Sequence, residues 1–174
     1  MQLRHVGRAS LLTLAFLCTT GFRGCYEPVM SPGDDSFISG TYDGEIENGP
    51  STCPGTWRVG DVNDFTVVLS ENDGDVQLAG EGGYGLYMDI VFGTRVLAGD
   101  ATADGSFDAA LVGRLRSSLG DCEWNTRADV SGRVIDDELT GVVTYTPITN
   151  GHPDCVAYRV EDCSTEQTFT GVRR

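Results

Sequence analysis

The clearest pattern in the chain is an alternation of mainly apolar or small residues with polar residues over residues 123–147. One arm carries Trp124, Thr126, Ala128, Val130, Gly132 and Val134 at every second position, and the other carries Leu139, Gly141, Val143 and Tyr145. A period of two is typical of half-buried strands. With a turn at Asp136 and Asp137, Val134 would face Leu139 and Gly132 would face Gly141. A glycine pair on the inner face lets a sheet bend, as closure of a barrel requires.

The rest of the chain is similar, with clear turns at Asp73-Gly74 and Asp104-Gly105. Further strands are expected over residues 37–45, 57–59, 65–69, 76–78, 86–92, 93–102, 107–112, 155–161 and 167–172, and no helix is expected beyond the N-terminal segment. The pattern predicts an all-β fold, an antiparallel up-and-down β-barrel of lipocalin-like shape with about 8–11 strands. First and last strands would pair to remove the sheet edges. A β-sandwich is the alternative.

The N-terminus has the features of an export signal. Arg4, His5 and Arg8 precede an apolar run over residues 9–22, which is too short to span a membrane. The segment ending in Phe22, Gly24 and Cys25 resembles the lipobox of a bacterial lipoprotein precursor, although Arg23 stands where that class has a small residue. The resemblance implies a signal peptide over 1–24, a lipid on Cys25, and a membrane-anchored protein of the outer membrane or periplasm. The alternative is cleavage after Gly21, which would give a soluble secreted protein.

The resemblance ends at Cys25 and names a location rather than an activity, and no functional family is recognised. Residues 25–36 contain Pro28, Pro32 and Gly33 and are expected to form a flexible tether, followed by a single β-barrel domain over 37–174.

The cysteine count favours two disulfides in an oxidising compartment. If Cys18 leaves with the signal and Cys25 carries lipid, an even set remains, namely Cys53, Cys122, Cys155 and Cys163. A strand over 155–161 would hold Cys155 and Cys163 too far apart to bond. Cys53 is therefore expected to pair with Cys155 or Cys163, and Cys122 with the other or with Cys53, and these alternatives stay open.

Charge and motifs exclude several classes of function. The net charge is −14, and it becomes more negative when the signal's arginines are removed, so nucleic-acid binding is not expected. Residues 80–85 match G-x-G-x-x-G, but a strand rather than a helix is expected to follow, so no dinucleotide cofactor is predicted. The mature chain has one histidine, His152, and we predict no metal site and no catalytic residue. We expect a non-enzymatic protein, with a carboxylate-based hydrolase as the alternative.

Five aromatic residues fall on predicted inner faces: Trp57, Trp124, Tyr145, Tyr158 and Phe169. They either pack in the core or line a cavity, because an eight-stranded barrel can be just wide enough to hold one small ligand. We therefore expect an envelope protein that binds a small apolar ligand inside the barrel. The alternative is a structural or protein-interaction role for the outer surface, with an exposed apolar patch around Val142. No protein partner can be named from the sequence.

Overall fold

A computed structural model describes residues 36–174. The signal peptide, the lipidation of Cys25 and nearly all of the tether lie outside the described residues. No helix in the described part of the chain is both long and apolar enough to cross a membrane.

Eight antiparallel strands form a closed barrel, in which each strand pairs with its neighbours in sequence and β1 pairs with β8. The up-and-down barrel is therefore confirmed, and the sandwich is not the fold. The elements are β1 Gly40–Ser51, β2 Val62–Asn72, β3 Asp75–Gly80, α1 Gly82–Phe92, β4 Val96–Ala101, β5 Ser106–Leu119, β6 Cys122–Ile135, β7 Glu138–Thr149, α2 Pro153–Ala157 and β8 Thr165–Arg173.

The predicted hairpin is formed by β6 and β7 in the expected register. Val134 pairs with Leu139, Gly132 with Gly141, and Ala128 with Tyr145. The turn places Asp136 and Asp137 at φ values of 50° and 68°, a backbone conformation that aspartate tolerates better than most residues. The alternation and the position of the turn together predicted this pairing, because a shift of one residue would have turned the apolar set towards solvent.

Two segments predicted as strands are helices. Residues 86–92 belong to α1, where Met88 and Phe92 point into the core while Leu86 and Ile90 are exposed. A segment with almost no polar residue shows neither period clearly, so its alternation was not informative. Residues 155–157 belong to α2, which begins at Pro153 with His152 as its N-cap. A third predicted strand, over residues 57–59, is a loop.

The barrel has two different ends. At the amino-terminal end, where β1 begins, Ile38 and Tyr42 are almost fully buried. The Tyr42 hydroxyl donates to the Ile38 carbonyl at 2.7 Å and receives a hydrogen bond from Arg173 at 3.0 Å. These contacts close that end. At the other end, which we call the mouth, lie α1, α2, both disulfides and the loop after β1.

Candidate functional site

The barrel interior is almost filled by side chains. Apolar residues of the strands pack with Tyr84, Met88 and Phe92 of α1. A cavity of about 30 Å³ lies below α1, lined by apolar groups that include Phe65, Leu139 and Phe169. A space of that size is close to that of one water molecule, so it does not accommodate an organic ligand in this conformation.

A larger space lies at the mouth, and we call it the mouth pocket. It has a volume of about 180 Å³ and is lined by Cys53, Pro54, Trp124, Thr126, Tyr145, Thr146, Pro147, Val160, Cys163 and Thr165. For comparison, an engineered apolar cavity of about 150 Å³ in another protein binds benzene. The mouth pocket can therefore hold a molecule built on a single ring.

The two disulfides build this end of the barrel. Cys53 bonds to Cys163 and forms part of the pocket wall, joining the loop after β1 to the segment before β8. Cys122 bonds to Cys155 and ties α2 to the start of β6, beside Trp124. Two disulfides are typical of proteins exported to an oxidising compartment. Because Cys155 lies in α2 and not in a strand, the geometric reason given for excluding a Cys155–Cys163 bond was wrong, although the bonds formed are among those expected.

Tyr145 connects the mouth pocket to α1. Its ring stacks on that of Phe92, with centroids 5.8 Å apart and planes inclined by 12°. Its hydroxyl forms a hydrogen bond with that of Tyr84 and donates to Gln167 Oε1 at 2.7 Å. Gln167 Nε2 in turn donates to Asn48 Oδ1 at 2.7 Å. A connected polar network therefore joins Tyr84 of α1 to the adjacent strands β7, β8 and β1 beside the pocket, and it fixes the position of Tyr145.

Both tyrosines of this network have a pKa above the ordinary value of tyrosine. Burial raises the pKa of Tyr84 to about 12, with the hydrogen bond to Tyr145 acting in the opposite direction. Burial also raises the pKa of Tyr145 well above 10, and the nearby Tyr84 adds to the effect. The phenol that lines the mouth pocket is thus neutral at all physiological pH values.

The five aromatic residues proposed to line a cavity do not come together in one site. Trp124 and Tyr145 line the mouth pocket, and Phe169 lines the small inner cavity. Trp57 lines neither space, since it lies in the loop after β1 and its Nε1 donates to the Gly49 carbonyl at 2.8 Å. Tyr158 also lines neither and is 41% exposed at the end of α2.

Sequence reasoning missed the pocket's polar and loop residues. Thr126 and Thr165 lie on inner faces, but threonine at such a position carries no distinctive signal. Val160 was assigned to a strand and instead lies after α2, where it is 2% exposed. The even cysteine count was the one signal that could have drawn attention to the mouth, because both bonds lie there.

His152 belongs to a small polar cluster beside the mouth. Side-chain ligand atoms of Asp121, His152 and Asp154 all lie within 4.8 Å of one another. His152 Nδ1 accepts from the Asp154 N–H at 3.3 Å, and Asp154 Oδ2 accepts from the Asp121 N–H at 3.0 Å. These bonds explain the cluster as a helix cap held beside the β5–β6 turn by the Cys122–Cys155 bond.

Residues 82–85 of the glycine-rich segment form the first turn of α1, so the reason given for rejecting a dinucleotide site, that a strand follows, was wrong. The fold itself supplies a different reason. The dinucleotide motif belongs to a unit with parallel strands, whereas β3 and β4 pair antiparallel on either side of α1. Gly80 is packed against Met88 and Gly85, which leaves no approach for a phosphate there.

Two other depressions are less suited to a small ligand. One of about 260 Å³ is lined by Arg159, Glu161 and Asp162 and has no aromatic wall. The other, of about 290 Å³, lies at the amino-terminal end and includes Ser36 and Phe37, where the described part of the chain begins. The mouth pocket combines aromatic walls with a few hydroxyl groups, which is the usual composition of a ligand site.

Comparisons with protein-family models, with curated proteins and with solved structures gave no match to this chain.

Proposed function

We propose that this protein is a non-enzymatic binding module of the cell envelope that holds a small, largely apolar ligand in the mouth pocket. The observation that carries the proposal is the pocket of about 180 Å³ between Trp124, Tyr145 and the Cys53–Cys163 bond. Its walls are held by a disulfide and by the Tyr145 network, so binding requires little ordering of the protein. The sequence-based hypothesis placed the ligand deeper, inside the barrel, where the cavity of about 30 Å³ is too small.

Native mass spectrometry of the mature protein, isolated from an oxidising compartment, tests this function. We expect an added mass on the intact barrel, and we expect it to be lost in Trp124→Ala and retained in Val59→Ala, a matched change at an exposed loop residue. A bare protein that also shows no thermal stabilisation by a library of small apolar molecules would contradict the proposal.

Fluorescence gives a second, independent measurement. The chain contains two tryptophans, so Trp57→Phe leaves Trp124 as the single reporter in the pocket. The substitution removes the hydrogen bond to Gly49, which we expect to cost about 1 kcal/mol without unfolding the barrel. A ligand in the mouth pocket should change the Trp124 emission, whereas the Trp57 emission of Trp124→Phe should stay unchanged.

The lipid anchor is part of the same proposal. A lipid on Cys25 would hold the barrel at the membrane through the tether of residues 25–36, while the acidic composition disfavours nucleic acid as a partner. Mass analysis of the N-terminal peptide should detect a diacylglycerol-modified Cys25, and Cys25→Ala should release the protein in soluble form. An unmodified N-terminus beginning at Phe22 would support the soluble alternative instead.

A second candidate function uses the outer surface, and the exposed face of α1 favours it. Leu86, Tyr87, Ile90 and Val91 are 37% to 66% exposed on one side of α1, while Tyr84, Met88 and Phe92 face the core on the other side. A helix that is apolar all round is normally buried on all sides. Val142 is less suited to such a role, because its cross-strand neighbours Ser131 and Thr168 are polar.

Photo-crosslinking separates this candidate from the first. A photoreactive amino acid at position 90 should give a discrete adduct in intact cells if α1 docks on a partner, and the same group at position 59 should not. Ile90→Gln should abolish a partner interaction while leaving ligand binding in the mouth pocket unchanged.

A further inference from the structure

The chemistry of the mouth pocket narrows the class of ligand, on the assumption that the proposed function is correct. None of the ten side chains lining it carries a charge near neutral pH, since two are joined in a disulfide and the others are apolar, hydroxyl-bearing or phenolic. An ion entering the pocket would lose water without gaining a counter-charge, which is unfavourable. The pocket therefore favours an uncharged molecule.

The shape of the walls favours a flat ring. Trp124 and Tyr145 contribute aromatic surfaces, and Pro54 and Pro147 contribute rigid, flat apolar ones. Aromatic rings pack on such surfaces in stacked or edge-to-face arrangements. A volume of about 180 Å³ accommodates one six-membered ring with a small substituent.

Thr126 supplies a hydrogen-bonding group that the barrel does not use. Its hydroxyl has no hydrogen-bond partner among the described residues, whereas the Thr165 hydroxyl is engaged with that of Ser51 at 2.7 Å. On β7, Thr126 faces Pro147, which lacks an N–H. The sheet is irregular on the β5 side of Thr126. The pairing of β5 with β6 shifts register between Val112 and Arg116. Bulges of this kind commonly redirect side chains beside binding sites.

We propose that the mouth pocket selects an uncharged, single-ring molecule whose polar substituent hydrogen bonds with the Thr126 hydroxyl. This inference deepens the proposed function by naming the ligand's charge, its size and the residue that orients it. It makes Trp124 and Tyr145 the walls against which the ring packs, and Thr126 the specificity-determining contact.

Three molecules of nearly the same shape test the charge selection: benzamide is neutral, benzoate is an anion, and benzamidinium is a cation. Binding is followed by chemical-shift changes of the isotope-labelled mature protein at millimolar probe concentrations. We expect benzamide to bind at least about tenfold more tightly than either ion, because only the ions lose hydration without compensation. The shifts should be centred on Trp124, Thr126 and Tyr145.

Thr126→Val tests the orienting contact, because valine preserves the shape of threonine and removes the hydroxyl. We expect benzamide affinity to fall by about fivefold, the effect of one lost neutral hydrogen bond. Thr140→Val is the matched control, since Thr140 is exposed on β7 and outside the pocket. This control should leave the affinity unchanged.

The outcomes separate this inference from the function on which it rests. If benzoate or benzamidinium binds in the pocket as tightly as benzamide, the charge selection is wrong while the binding function stands. If Thr126→Val binds benzamide like the wild type, the orienting role is wrong. If all three probes fail to bind while native mass spectrometry still shows an adduct that depends on Trp124, the single-ring class is overturned and the binding module is retained.

Discussion

Gly132 on β6 lies directly opposite Gly141 on β7, and each makes room for a phenylalanine ring from the strand on its other side. Phe107 of β5 pairs with Gly132, and Phe169 of β8 pairs with Gly141. A Cβ atom on either glycine would lie 2.4 Å from the Cζ atom of its phenylalanine. The row of two rings over two glycines therefore fills the barrel at this level, and ring packing compensates for the missing side chains.

Alanine at these glycines should therefore destabilise the barrel by different amounts. In Gly141→Ala the new methyl group also lies 2.5 Å from the Ser131 carbonyl oxygen, which cannot move without distorting β6. We expect Gly141→Ala to lower the free energy of unfolding by about 3 kcal/mol. In Gly132→Ala the three nearest atoms all belong to the Phe107 side chain rather than to backbone, so we expect a smaller loss of about 1–2 kcal/mol. Urea unfolding measures both, and equal losses would show that the backbone contact has no special cost.

A glycine with open space should behave in the opposite way. Gly83 lies in the first turn of α1 and does not have positive φ, and a Cβ atom added to it would meet no atom within 4 Å beyond its own helical turn. Gly83→Ala should raise the free energy of unfolding by up to about 1 kcal/mol, because alanine favours the helix and loses less entropy on folding. Thermal unfolding detects the change, and a destabilised variant would indicate that the N-terminal turn of α1 is not helical in solution.

The two disulfides should differ in their contribution to stability. The Cys53–Cys163 bond joins residues separated by 110 positions, and the Cys122–Cys155 bond joins residues separated by 33 positions. The bond that closes the longer loop restricts the unfolded chain more. We expect Cys53→Ser/Cys163→Ser to lower the free energy of unfolding by roughly 4–5 kcal/mol and Cys122→Ser/Cys155→Ser by roughly 3–4 kcal/mol. Chemical unfolding of the two double variants measures the difference. The reverse order would mean that native packing, and not loop closure, dominates.

The partly buried Tyr84 should make the barrel sensitive to alkali. The pKa of Tyr84 is about 12 in the folded protein and near 10 in the unfolded chain, so the folded state retains its proton over that interval. Its contribution to stability is fully present below pH 10 and is lost as the pH rises towards 12. The chain has no lysine, which leaves tyrosine as the main side chain that titrates in this range.

The measurement is the free energy of unfolding as a function of pH, for the wild type and for Tyr84→Phe. We expect the decline above pH 10 to be shallower in the variant, because phenylalanine carries no proton to lose. Tyr158→Phe is the control, since Tyr158 is 41% exposed and lies outside the network. Identical slopes for all three proteins would contradict the assigned role of Tyr84.

The amino-acid sequence alone was enough to predict the register of the β6–β7 hairpin. In β6 and β7 the alternation left one register that buries the apolar set, and the Asp136-Asp137 turn fixed its position. With Cys18 assigned to the signal segment and Cys25 to the lipid, the four remaining cysteines predicted two disulfides, and two are present. These features are local, or are simple counts, so they could be read without knowing which distant residues meet.

The helices and the candidate site depend instead on contacts between residues that are distant in the chain. Residues 82–92 are nearly all apolar, so their conformation depends on the mouth of the barrel that Tyr84, Met88 and Phe92 cover, and not on a period in the sequence. The mouth pocket brings Cys53, Trp124 and Val160 together from distant parts of the chain. No local pattern encodes such a meeting, because it results from closing the barrel and joining its loops by disulfides.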